Sequence, residues 1–157
     1  RKDRVLLETL RWSENELAEQ RRAELARFRA PWRAIERFVD LYLPVSPVDA
    51  RWNLWAQVSA RPPEDAEGQA QIAALEQAWV ADLADWVRRG IESGAFPASD
   101  SASDAAAERE DASGLALRWV LLMNGIAEQV RLGAPGHGAQ WARSYALAVI
   151  ASDLGAG

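Results

Sequence analysis

Eight of the 157 residues are tryptophan, and several recur at helical intervals. Trp52, Trp55 and Ser59 fall on one side of a short predicted helix, while Trp86 and Trp119 belong to two longer helices that must converge with it. Glu76 lies in the apolar sector of its own helix. Asn124 and Glu128 stand one turn apart on a leucine-lined face, and Met123 joins Asn124 in the expected lining. Indole faces attract cations, quaternary ammonium groups above all, and they also stack on flat rings. This set therefore predicts a mainly apolar cavity for a cationic or aromatic small molecule, oriented by a few polar groups. Each member also has a structural alternative. Tryptophans at this spacing pack cores, Glu76 can pair with an arginine, and Asn124 and Glu128 can lie in a seam between subunits.

Other chemistries find little support. There is no cysteine, which excludes disulfides, thiolate metal sites and cysteine nucleophiles. The single histidine, His137, stands in "GAPGHGA" and reads as an exposed loop residue. A carboxylate-bound di-metal site needs Glu-x-x-His on inward helix faces, and a serine hydrolase needs a histidine base and a nucleophile elbow. We expect no catalytic residue, no metal and no cofactor. A net charge of −5 argues against this segment gripping nucleic acid itself, because the arginines of "EQRRAELARFRAPWR" are diluted by glutamate. No apolar run is long enough for a membrane span and the first residues do not form a signal peptide, so the expected location is cytoplasmic.

The elements that must position these residues are all helical. A first helix is predicted over about 2–28, with Leu6, Leu10, Leu17 and Phe28 on one stripe and Val5 and Trp12 nearly opposite. A second begins at Pro31 and places Trp32, Ile35, Val39, Tyr42 and Leu43 on one face. The third covers about 48–60 and the fourth about 67–93, the latter with Ile72, Leu75, Trp79, Leu83 and Trp86 in register. After the loop "SGAFPASDSASD", a fifth helix is predicted over about 103–132 and a sixth over about 138–154.

The last two helices carry apolar residues on two sides, which a surface helix of a monomer does not. In the fifth, Leu117, Leu121, Glu128 and Leu132 oppose the row of Leu115, Trp119, Leu122, Ile126 and Val130. In the sixth, Leu147, Ile150 and Leu154 oppose Trp141, Tyr145 and Ala148. The expectation is a homodimer in which Leu117, Leu121, Glu128, Leu132, Leu147, Ile150 and Leu154 form an intermolecular four-helix seam.

Three stretches resemble the C-terminal regulatory domain of TetR-family transcriptional repressors, in the branch typified by the choline-responsive repressor of the betaine pathway. "RKDRVLLETL" looks like the Lys-acidic-x-x-Leu opening of the helix that follows the DNA-reading module. "RWNLWAQVSARPP" is similar to the Trp-x-x-Trp-Ala segment with its proline turn. "WVADLADWVRRGIESGAF" followed by "LLMNGIAEQVRLG" resembles the long helix, Gly-x-Phe turn and small-residue-glycine helix. The final helix matches weakly, and Asn124-Gly125 stands where that branch has an acidic residue before the glycine.

The resemblance implies an all-α, six-helix ligand-binding and dimerisation domain over residues 1–157. It also implies a three-helix DNA-binding module that precedes this domain and lies outside these residues, so operator DNA would be met through that module and by no residue of this chain. Val5 and Trp12 would then face the module, or Trp12 the mouth of the ligand cavity. The implied function is effector-controlled release of DNA. The rival reading is a helical interaction or structural bundle in which the tryptophans only pack.

Overall fold

The computed structural model describes residues 2–97 and 105–155, with side chains for all of these except 105–110. Six helices and no strand are found among the described residues: α1 (Lys2–Leu25), α2 (Pro31–Tyr42), α3 (Ala50–Ala60), α4 (Ala66–Glu92), α5 (Ala105–Arg131) and α6 (Ala139–Asp153). The fold is the expected all-α six-helix bundle. Residues 98–104 of the expected loop, and the start predicted for α5 near 103, lie outside the described residues.

Local chemistry sets the boundaries. Asp49 caps α3, its carboxylate accepting from the backbone N–H groups of Arg51 and Trp52 at 3.0 and 3.3 Å. Asp65 caps α4 through Gly68 N–H at 2.6 Å. These two caps move both starts slightly from their predicted places. α1 stops at Leu25 rather than Phe28, because the chain tightens there into i→i+3 bonds from Arg27 and Phe28. Gly68 cannot be exchanged cheaply, since a Cβ there would come within 2.5 Å of the Pro63 ring.

α4 and α5 run against each other at the centre, with α1 and α2 packed on α4 and α6 on α5. The main core collects Phe38, Val39, Trp79, Leu83, Val87, Trp119, Met123, Val130, Ala146 and Ile150 among others. A smaller cluster of Leu10, Val58 and Leu75 ties α1, α3 and α4 together at one end. Gly90 of α4 lets the Phe96 ring lie on the helix backbone, and Gly90 C=O accepts from Phe96 N–H at 2.9 Å.

The buried stripe of α1 is Leu7, Leu10, Glu14, Ala18, Arg21 and Leu25, so two of its six members are charged. Its opposite face is open, with Val5 exposed and Trp12 69% exposed. The two sides of α5 separate as expected. Trp119, Ile126 and Val130 are buried, whereas Leu117, Leu121 and Leu132 are exposed.

α6 is turned the other way. Leu147, Ile150 and Leu154 are buried within the chain itself, and the opposite side, with Tyr145 and Ala148, faces outward. Contrary to the expected seam, Leu147, Ile150 and Leu154 are covered by their own chain, and the side of α6 left open is that of Tyr145 and Ala148. Two apolar stripes on one helix look alike by periodicity. The inward one is chosen by Ala142 and Ala146, fully buried small residues on the same side as Ile150, which let the helix approach its neighbours closely.

Candidate ligand cavity and its aromatic box

A cavity of about 250 Å³ opens between α2, α3, α4 and α5, walled by aromatic rings and a polar rim. Trp52, Trp55 and Ser59 reach it from α3, Glu76 and Trp79 from α4, Tyr42 from α2, and Asn124, Glu128 and Arg131 from α5. Five of the predicted lining residues thus meet: Trp52, Trp55, Ser59, Glu76 and Asn124. Glu128, predicted for the seam, lines the cavity too.

The remaining four predicted residues lie elsewhere. Trp119 and Met123 are fully buried in the main core. The Trp119 indole N–H donates to Asp153 Oδ2 at 2.8 Å, tying α5 to the end of α6. Trp86 is buried with the Arg89 guanidinium 4.6 Å from its ring centroid. Trp12 borders a shallow groove on α1 with Arg4, Val5, Glu8 and Thr9, away from the cavity. His137 is half-buried and stacks on Trp141 at 4.2 Å, rather than standing free in its loop.

The residue that organises the cavity wall is Glu14, which the sequence analysis did not single out. It is buried, and both carboxylate oxygens are used. Oε1 accepts from Arg51 Nε at 2.9 Å and from the Trp55 indole N–H at 2.7 Å. Oε2 accepts from the Trp79 indole N–H at 2.8 Å. A buried carboxylate is tolerable when its lone pairs are filled in this way, one partner being a full positive charge.

Arg51 completes the arrangement. Its guanidinium lies 4.3 Å from the Trp79 ring centroid, 5.0 Å from that of Tyr42 and 5.2 Å from that of Trp52. Its Nη1 donates to the Tyr42 carbonyl at 2.9 Å, and the Trp52 indole N–H donates to the same oxygen at 3.0 Å. Tyr42 is the last residue of α2, so this carbonyl is one of the unpaired acceptors at the negative end of a helix. Three rings, a carboxylate and a helix C-terminus thus surround one position, and all five favour positive charge.

Further polar contacts hold the rings in place. Arg21 of α1 lies 3.8 Å from the Trp79 centroid while its Nε donates to Asp82 Oδ2 at 2.8 Å. Burial lowers the Arg21 pKa, and the bond to Asp82 opposes that shift. The Tyr42 hydroxyl donates to Asn124 Oδ1. Burial pushes its pKa up to about 12, with Glu76 and Glu14 adding to the rise and Arg51 acting against it. Across the cavity Arg131 donates from Nη1 to Glu128 at 3.0 Å, while its buried Nε has no hydrogen-bond partner among the described residues.

A sequence signal for Glu14 existed. Leu7, Leu10, Glu14, Ala18, Arg21 and Leu25 are separated by steps of three or four, so Glu14 and Arg21 sit inside an apolar helical stripe. Such positions must be paired. Among the described residues no group of three or more His, Cys, Asp or Glu side chains could hold a metal ion, and no helix is long and apolar enough to cross a membrane.

No protein-family model matches the sequence, and no curated protein matches it. One solved structure does: a "putative transcriptional regulator" from Saccharomonospora viridis in complex with choline. The two share 24% identity with a TM-score of 0.79, over 97% of this chain and 73% of that one. The likeness covers all six helices and establishes a shared fold.

Proposed function

We propose that this chain is the effector-sensing and dimerisation domain of a TetR-type transcriptional regulator, and that its effector is a small organic cation. The observation that carries the reading is the cavity itself. Trp52, Trp55, Trp79 and Tyr42 wall it with aromatic rings, and Glu76 adds negative charge at its rim, where Glu128 is paired with Arg131. Rings and carboxylates together favour a cation over an anion of the same size. The choline complex of the protein with the same fold supports this choice of ligand class.

Dimerisation fits the exposed apolar surface. Leu117 and Leu121 of α5 continue past Gly125 to a groove bordered by His137, Trp141 and Tyr145. Doubling that surface about a twofold axis would make the four-helix seam. The open face of α1, with Val5 and Trp12, suits a DNA-binding module carried on the same helix. An effector would then control DNA binding only to the extent that it prefers one arrangement of the dimer.

The test is a titration of choline followed by indole fluorescence and calorimetry. Saturable binding that is lost in Trp55→Ala, with the helical circular-dichroism signal unchanged, is the expected result. One observation favours the rival reading of a bundle that only packs: the aromatic box is already satisfied internally by Arg51. Absence of any response to choline and to aromatic amines would decide for that rival.

A further inference from the structure

Resting on the cation reading of the cavity, we propose that Arg51 is a tethered cation filling the effector's own subsite, and that an ammonium effector binds by displacing it from Glu14.

Arg51 lies where an ideal organic cation would lie. Its guanidinium is close to the faces of Tyr42, Trp52 and Trp79, faces the Glu14 carboxylate and donates to the last carbonyl of α2. Arg51 also belongs to the cavity wall, so a guest entering the cavity meets the same three rings that hold the guanidinium. Two cations cannot share one set of π-faces without like-charge repulsion, and Glu14 balances only one of them. A quaternary ammonium group in this box requires Arg51 to leave it.

The exchange has a defined consequence. Glu14 belongs to α1 and Arg51 to α3, and their 2.9 Å bond is a direct polar tie between those helices. When Arg51 swings out, Glu14 keeps the Trp55 and Trp79 indole bonds and gains the ammonium as its counter-charge, whereas α3 loses the Arg51 ties to α1 and to the end of α2 and is held there by the Trp55 and Trp52 indole bonds alone. The ligand thereby acts on α1 through a broken contact as well as through a new one. The tethered cation also sets a selectivity threshold, because a guest must outcompete a guanidinium held at high local concentration.

The experiment uses tetramethylammonium as the probe, with binding by calorimetry and the Arg51 side chain followed by nitrogen-15 NMR of its Nε–H. The resonance is assigned by its loss in Arg51→Met. The expected result is that tetramethylammonium moves the Arg51 Nε–H signal toward that of a solvated arginine, and that Arg51→Met binds the probe roughly tenfold or more tightly than the parent chain. If Arg51→Met does not fold, Arg51→Gln, which removes the resident cation and keeps Glu14 as the counter-charge, serves instead. Binding to the parent chain with an unmoved Arg51 signal, and no tighter binding by the variant that folds, overturns the displacement but leaves the cation-binding cavity standing. Binding only to the variant supports Arg51 as the resident cation and overturns effector sensing by a simple ammonium. No binding to either overturns both.

Discussion

Glu14 on α1 accepts the Trp79 indole N–H of α4 at 2.8 Å, while Arg21, two turns along α1, lies 3.8 Å from the centre of the same ring. One tryptophan is therefore held edge-on by a carboxylate and over its π-system by a guanidinium, both from a single helix. Arg51 of α3 approaches the same ring at 4.3 Å. The wall of the cavity is a charged lattice inside an apolar bundle, and its rigidity comes from shared partners rather than from packing alone.

Removing Glu14 should therefore cost more than a surface charge would. Glu14→Ala leaves Arg51 Nε and two indole N–H groups without an acceptor and the buried guanidinium without its counter-charge, and we expect a loss of about 3–5 kcal/mol in urea unfolding. Glu14→Gln keeps one acceptor oxygen and should lose less. Combining Glu14→Gln with Arg51→Met should cost less than the two single changes summed, since no lone buried charge remains. Additive losses would show that the two residues are energetically independent despite their contact.

Much of this site is legible in the sequence. Trp52, Trp55 and Ser59 were legible because a three-and-four spacing on a short helix leaves only one side for all of them. Trp79 and Tyr42 were visible as members of apolar rows, but periodicity cannot tell a ring that packs from a ring that walls a cavity. Trp119 shows the converse: its indole counted toward a cavity, yet it is fully buried against α6 with Asp153 as its acceptor. Glu14, Arg21 and Arg51 were missed because a charged residue on a helix is assigned to solvent by default. Only their partners, on other helices and far along the chain, show otherwise. The orientation of α6 was undecidable for a related reason, since both of its stripes are apolar.

Alkaline pH offers a test of the burial of Tyr42. Its pKa rises from the ordinary tyrosine value to about 12, chiefly through burial. The unfolded chain loses this proton near pH 10, whereas the folded chain keeps it, so the stabilisation is fully present below pH 10 and is lost as pH climbs toward 12. Absorbance titration at the phenolate band should show a component delayed to about pH 12 that disappears in Tyr42→Phe. The same variant should flatten the fall of stability between pH 10 and 12. A phenolate signal complete by pH 10.5 would mean that Tyr42 is open to water.

Gly90 makes a separate demand on the turn after α4. A Cβ at this position would stand 2.0 Å from the Phe96 ring, which is itself buried and bonded back to Gly90 through its N–H. The ring must move or the loop must detach. Gly90→Ala should cost about 1–3 kcal/mol, more than the modest gain alanine brings to a helix interior. Pairing it with Phe96→Ala should recover only the clash, not the buried area. A neutral or stabilising Gly90→Ala in thermal unfolding would place the Phe96 ring elsewhere.

The corrected orientation of α6 and the proposed seam predict opposite behaviour for Leu121 and Ile150. Leu121 is 60% exposed on α5, beside the groove that Trp141 and Tyr145 share, whereas Ile150 is fully buried inside the chain. A charge at Leu121 should leave the fold within about 0.5 kcal/mol of the parent, because most of this side chain is open to solvent. It should split the dimer, since a carboxylate would be buried against its twofold mate without a partner. Ile150→Ala should do the reverse, opening a cavity that costs about 2–5 kcal/mol while leaving the mass in solution unchanged. Light scattering at micromolar concentration, run beside urea unfolding, reads both quantities on both variants. A dimer that survives Leu121→Glu would move the seam off this face of α5, and a monomeric Ile150→Ala that unfolds like the parent would return Ile150 to the interface.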